Sequence, residues 1–151
     1  MIEVELKFSV SSLDEIRRQL HAMGATSKGV SVQTDEYFND PKRDYAELDL
    51  AVRIRRSDEC FWLTFKGPNL DSAAKIREEI EVPLENAEAA KQMQGVLTGM
   101  GLVSVASVIK RREEFVGRTN LSDVHFCLDD VAEVGGFIEL ESVVQSQKDV
   151  E

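Results

Sequence analysis

The segment Glu3-Val4-Glu5-Leu6-Lys7 alternates charged and apolar residues, and no other feature of the sequence restricts the fold as strongly. In an extended strand it sends Glu3, Glu5 and Lys7 to one face and Ile2, Val4, Leu6 and Phe8 to the other. The pattern returns along the chain. Arg53 and Arg55 oppose Val52 and Ile54, while Trp62, Thr64 and Lys66 oppose Phe61, Leu63 and Phe65. Lys75, Arg77, Glu79 and Glu81 stand against Ile76, Ile80 and Val82, with Glu78 interrupting the apolar series. Lys110 and Arg112 share one parity of a long segment over 102–116. His125, Cys127 and Asp129 oppose Val124, Phe126 and Leu128, and Glu139 and Glu141 oppose Ile138 and Leu140. One such strand is the ordinary wet face of an antiparallel sheet. Its recurrence calls for a sheet with one face almost wholly charged.

Two stretches follow a helical period instead. Ser12-Leu13-Asp14-Glu15 fits a capping box, Leu13, Ile16, Leu20 and Met23 recur at helical spacing, and Gly24 is placed to stop the helix. Ala89, Ala90, Met93, Val96, Leu97 and Met100 form the apolar side of a second helix over 86–100, stopped by Gly101. A further strand is expected over 28–38, broken by Asn39-Asp40-Pro41, and residues 40–49 read as a polar, acidic, solvated loop. Roughly eight strands and two helices suit an antiparallel sheet that curls or closes. The expectation is an α+β domain over 1–151.

Composition narrows the partners. The chain has 151 residues, 42% hydrophobic and 30% charged, with a formal net charge of -10. That field opposes nucleic acid and anionic membrane, so neither is expected as a partner. A polyanionic small molecule would be repelled as well unless positive charge is gathered locally. No apolar run has the roughly 20 residues that span a bilayer, and no signal-peptide pattern follows Met1, so a cytoplasmic location is expected. Cys60 and Cys127 read as reduced core or wall residues without metal-ligand spacing.

The polar parity collects Glu3, Glu5, Lys7, Arg53, Arg55, Lys66, Arg77, Glu79, Glu81, Lys110, Arg112, Asp129, Glu139 and Glu141. An open sheet in water would alternate in the same way, so periodicity does not separate a solvated face from a barrel interior. Residue choice says more, because carboxylate pairs and Arg/Lys pairs are sorted by strand. If the sheet closes, these charges point inward and cannot remain unpaired. A wet tunnel resolves this, with carboxylates binding a divalent metal and Arg and Lys holding a phosphate chain. No Gly-rich phosphate loop, zinc spacing or Ser/His/Asp arrangement competes with that reading.

These motifs resemble the CYTH or triphosphate tunnel metalloenzyme family, which includes class IV (CyaB-like) adenylate cyclases and thiamine or inorganic triphosphatases. The resemblance rests on E-x-E-x-K at Glu3, Glu5 and Lys7, the pair Arg53 and Arg55, and Lys66 before Gly67-Pro68. It continues through R-x-E-x-E at Arg77, Glu79 and Glu81, K-x-R at Lys110 and Arg112, Asp129, and E-x-E at Glu139 and Glu141. It implies an antiparallel tunnel barrel with a charged interior and helices packed outside. It also implies metal ligation of Mg²⁺ or Mn²⁺ by Glu3, Glu5, Glu139 and Glu141, with Asp129 beside them. Triphosphate contacts fall on Lys7, Arg53, Arg55, Lys66, Arg77, Lys110 and Arg112; Lys66, Glu5 and Lys7 are the candidate catalytic residues. Asp35 and Tyr37 match a pair common in the family and, with Glu79 and Glu81, are expected behind the first layer of contacts. A homodimer is implied by the resemblance alone. Relatives usually continue past the last E-x-E strand with a further helix, so the domain is expected to be short at its C-terminal end.

The shared chemistry would be attack on a metal-bound, clamped phosphate. Hydrolysis of a triphosphate, whether inorganic, nucleoside or thiamine triphosphate, is the first reading, favoured by Glu141. Conversion of ATP to cyclic AMP and pyrophosphate is the alternative, and a polyphosphate- or nucleotide-binding module without turnover is a third. Trp62 on the inward parity is a candidate to stack on an organic ring or simply to pack the wall. A solvated ion-pair network would leave the order of these motifs unexplained.

Overall fold

The computed structural model describes residues 2–70, 75–118 and 123–144. Among them are eight strands and two helices: β1 Ile2–Val10, α1 Leu13–Ala22, β2 Thr26–Asn39, β3 Ala51–Ser57, β4 Cys60–Lys66, β5 Lys75–Leu84, α2 Ala87–Gly99, β6 Val103–Arg118, β7 Asp123–Val131 and β8 Gly135–Val144. The sheet closes in the order β1-β5-β4-β3-β2-β6-β7-β8, every neighbouring pair antiparallel. The antiparallel α+β barrel that the resemblance implied is therefore the fold.

Closure puts the apolar parity outside, where two helices cover part of it and leave other residues, such as Phe8, Val32 and Val105, exposed. Leu20 of α1 packs with Phe115 and Leu128, joined by Leu13, Ile16, Phe126 and Ile138. Ala90 and Leu97 of α2 pack on Phe38, Val52 and Ile54, flanked by Phe61, Leu63 and Phe65. The hydrophobic cores thus lie between barrel and helices, and the barrel interior is left to charge. Each helix begins on a side-chain cap. Ser12 Oγ accepts from the Glu15 amide at 3.2 Å and Asn86 Oδ1 from the Ala89 amide at 3.0 Å. Each is followed by a glycine with positive φ, Gly24 at +83° and Gly101 at +97°, which lets the chain turn back into a strand.

The strand directions define two barrel ends. One carries the loop over 40–50 and the β7–β8 turn at 132–134; the other carries the β3–β4 turn at Asp58-Glu59 and the start of β2. Cys60, expected in a core or wall, is exposed because it is the first residue of β4, beside that turn. None of the described helices is long and apolar enough to cross a membrane.

Candidate functional site

The inward side chains enclose a cavity of about 1010 Å³. Among the described residues its wall presents seven cations, Lys7, Arg53, Arg55, Lys66, Arg77, Lys110 and Arg112, and seven carboxylates, Glu5, Asp35, Asp49, Glu79, Glu81, Glu139 and Glu141. All seven basic residues expected to face a triphosphate therefore meet in one space. Asp129 is fully buried just behind that wall, and the Glu3 side chain lies outside the described residues. Asp35, Tyr37, Glu79 and Glu81, expected behind the first layer, themselves line the cavity.

Two buried aspartates organise the cations. Asp35 accepts from Arg55 Nε and from its NH2, both at 2.7 Å, and from Arg53 NH1 at 3.3 Å. Asp129 accepts from Arg112 Nε and NH2, both at 2.7 Å, and from Lys110 Nζ at 2.9 Å. In each case the aspartate lies on a strand adjacent to a basic pair spaced two residues apart, so one carboxylate spans both cations. Burial pushes the Asp35 carboxyl up, but the Arg55 hydrogen bond and the Arg53 and Arg55 charges outweigh it and hold it below its ordinary value. Burial together with the neighbouring Arg112 lowers Lys110.

The carboxylates of β1 and β8 form a second group. Glu5 and Glu141 are directly opposite across the two strands, as are Lys7 and Glu139. Lys7 Nζ donates to Glu139 Oε1 at 2.5 Å, and Arg112 donates to Glu139 Oε2 and, at 3.4 Å, to Glu141. Burial opposes ionisation of Glu139, yet Arg112, Lys110 and Lys7 hold its carboxyl well below the usual range. Lys66 Nζ stands 2.8 Å from Glu79 and 3.9 Å from Glu5. The carboxylates of Glu139 and Glu141, with Glu5 opposite Glu141 in the ladder, are donors of the kind a hard divalent cation such as Mg²⁺ or Mn²⁺ takes. The buried Cys127 joins them, its Sγ and the carboxylate oxygens of Glu139 and Glu141 all lying within 4.8 Å of one another. Its parity with Asp129 was the signal for that inward position.

Arg77 and Arg53 are each 8% exposed with Nε buried and without a hydrogen-bond partner; Arg53 pairs with Asp35, whereas no ion pair ties Arg77 among the described residues. A buried guanidinium in that condition is strongly disfavoured unless an anion reaches it.

The sequence reading missed part of the wall. Ala46, Asp49 and Leu50 of the acidic loop line the cavity rather than standing wholly in solvent, as do Val108, Val131, Val134 and Phe137. Trp62 lines it too, beside Arg55 and near the β3–β4 turn. His125 is exposed, and His21 meets the Phe115 ring edge-on at 5.4 Å.

A closed antiparallel barrel with buried, sorted charges inside is the architecture of the triphosphate tunnel metalloenzymes, and the chain belongs to the CYTH domain family, which matches it over residues 1–151. "Putative adenylate cyclase MJ0240" of Methanocaldococcus jannaschii is 37% identical over 144 residues, covering 95% of this chain and 78% of that protein. The PH1819 protein of Pyrococcus horikoshii superposes with a TM-score of 0.85 at 32% identity, over 98% of this chain and 81% of that one. HpAC1 from Hippeastrum, described as having a dominant triphosphatase activity, shares the fold with a TM-score of 0.64 at 18% identity, over 98% of this chain and 82% of that one.

Proposed function

We propose that the tunnel binds a triphosphate together with a divalent metal and hydrolyses it. The observation that carries this reading is Arg77, a guanidinium that lines the cavity and has no ion pair among the described residues. A phosphate group supplies that counter-charge, and guanidinium geometry favours phosphate over a point anion.

Charge balance supports the metal requirement. Seven cations face seven carboxylates on the described wall, so the cavity holds no positive surplus for a bare triphosphate. Glu5, Glu139 and Glu141 would hold a divalent cation, which would neutralise charge on the phosphate oxygens. Lys7 and Arg112 then pass from Glu139 to the phosphate chain. Asp35 and Asp129 keep Arg53, Arg55, Lys110 and Arg112 aligned throughout. Lys66, held by Glu79, orients water at the terminal phosphate, so that positioning and electrostatic stabilisation supply most of the acceleration.

Cyclisation of ATP is the second reading, and the name of the 37% identical relative is what favours it. Phosphorus NMR with ATP and inorganic triphosphate, each in Mg²⁺ and in Mn²⁺, separates the two. Orthophosphate release is expected; cyclic AMP with pyrophosphate would replace hydrolysis by cyclisation, and no product from any mixture would overturn both.

A further inference from the structure

Cys127 lies on the inward parity of β7, yet it belongs to neither apolar core. It is 3% exposed and free, and among the described residues its thiol makes no hydrogen bond. Its neighbours in the sheet are acidic: Glu114 stands opposite it on β6 and Glu139 opposite it on β8. A thiol kept for packing alone would sit among apolar side chains. The Cys127 Sγ and one carboxylate oxygen each of Glu139 and Glu141 lie within 4.8 Å of one another. Bonds of about 2.0–2.3 Å put the donors around one zinc-sized ion about 3–4 Å apart, so a small side-chain movement closes the set. Spacing along the chain does not reveal these donors, because strand pairing brings them together.

Strand β8 lies between β1 and β7. On its β1 side Glu141 faces Glu5, and on its β7 side Glu139 faces Cys127. The same two glutamates are therefore flanked by an oxygen donor and by a sulfur donor. Mg²⁺ takes oxygen ligands, whereas thiolate selects softer ions such as Zn²⁺. We infer that Cys127, Glu139 and Glu141 form a second cation position, which takes a thiophilic divalent ion such as Zn²⁺ in preference to Mg²⁺. The thiol gives its proton to solvent as the Sγ–metal bond forms. Arg112, which donates to both glutamates, keeps its two-point hold on Asp129 when the ion takes them. The position itself stands on its three donors, and only its consequence rests on the triphosphate reading. An ion seated there holds two of the three carboxylates proposed for Mg²⁺, so a thiophilic metal inhibits by capturing them.

Cobalt titration of the whole chain tests the position without any substrate. The chain has two cysteines, so in Cys60→Ser, altered at an exposed position beside the β3–β4 turn, a sulfur-to-cobalt charge-transfer band reports Cys127 alone. Stoichiometric Co²⁺ is expected to develop that band, equimolar Zn²⁺ to displace it, and a roughly hundredfold excess of Mg²⁺ to leave it in place. Cys127→Ser and Glu141→Gln, each confirmed as folded by circular dichroism, are expected to lose at least about tenfold in Zn²⁺ affinity by calorimetry, since even a group that only supports a ligand costs that much. Absence of the band, a band that Mg²⁺ removes as readily as Zn²⁺, or full Zn²⁺ affinity in either folded variant would overturn the position. Each of these results leaves the triphosphate reading standing, because that reading is decided separately by the products seen in phosphorus NMR.

Discussion

Arg112 and Asp129 meet as two parallel forks, Nε on Oδ1 and NH2 on Oδ2, both at 2.7 Å, with Asp129 fully buried. Arg55 and Asp35 repeat the arrangement at the same distances on β3 and β2, next to β6. Each aspartate also holds the second cation of its pair, so two clamps of one design stand side by side on four consecutive strands.

Asp129→Asn keeps the shape but leaves Lys110 and Arg112 without their shared counter-charge. Breaking a buried pair from one side costs about 3–5 kcal/mol. For a chain of this size that corresponds to a fall in Tm of about 6–20 °C. Thermal unfolding checks this, and a variant as stable as the parent would show that Glu139 and Glu141 alone compensate Arg112.

Asp35 gives the fold a pH dependence with a definite sign. Its folded-state carboxyl titrates below the ordinary value, so the unfolded chain takes up that proton first as acid is added. The stabilisation is therefore complete above about pH 4, the unfolded value, and is lost as pH falls below it towards the depressed value. The Tm gap between the parent and Asp35→Asn is expected to be largest near neutrality and to narrow on acidification below that value. A gap that stays constant down to pH 3 would mean that shape, not charge, holds the Arg53–Arg55 clamp.

Alternation was enough to name the inward charges, because a period of two fixes the face of every strand once one face is buried. The pairing of those charges was not legible. Asp35 reaches Arg55 across 20 positions and Arg112 reaches Glu139 across 27, contacts set by which strands the barrel places together. Val108, Val131 and Phe137 share the parity of Lys110, Asp129 and Glu139, so the same period sends them inward, while Val105 and Ile109 on the other parity are exposed outside. Asp49 was not legible, because it lies in a loop without any period to fix its direction.

Arg77 separates function from stability. Among the described residues no ion pair offsets the buried Arg77 charge, so Arg77→Met is expected to hold or raise Tm. The same change removes the guanidinium best placed for a phosphate, and triphosphate affinity is expected to fall by at least about tenfold, a typical cost for a charged hydrogen bond of 1.5–3 kcal/mol. Thermal unfolding and ligand binding on one preparation decide the matter. A marked drop in Tm with unchanged affinity would make Arg77 a structural residue and remove the main support for the phosphate reading.

The balance of seven wall cations and seven wall carboxylates carries the last expectation. If metal served only the chemical step, its removal would stop turnover and spare binding. In a balanced cavity a triphosphate without metal adds uncompensated negative charge to a desolvated space, so chelation is expected to abolish binding as well as turnover. Glu5→Gln should act in the same direction while the barrel stays folded, because Glu5 touches no apolar core and its contact with Lys66 is 3.9 Å. It removes one carboxylate from the proposed metal set and is expected to lower turnover by at least about a hundredfold, in the range seen when a group stabilising developing charge is lost. Calorimetric binding with and without EDTA, alongside rates for Glu5→Gln, provides the check. Full activity in that variant would remove Glu5 from the metal set, and tight binding in EDTA would show that the seven basic groups suffice without a metal.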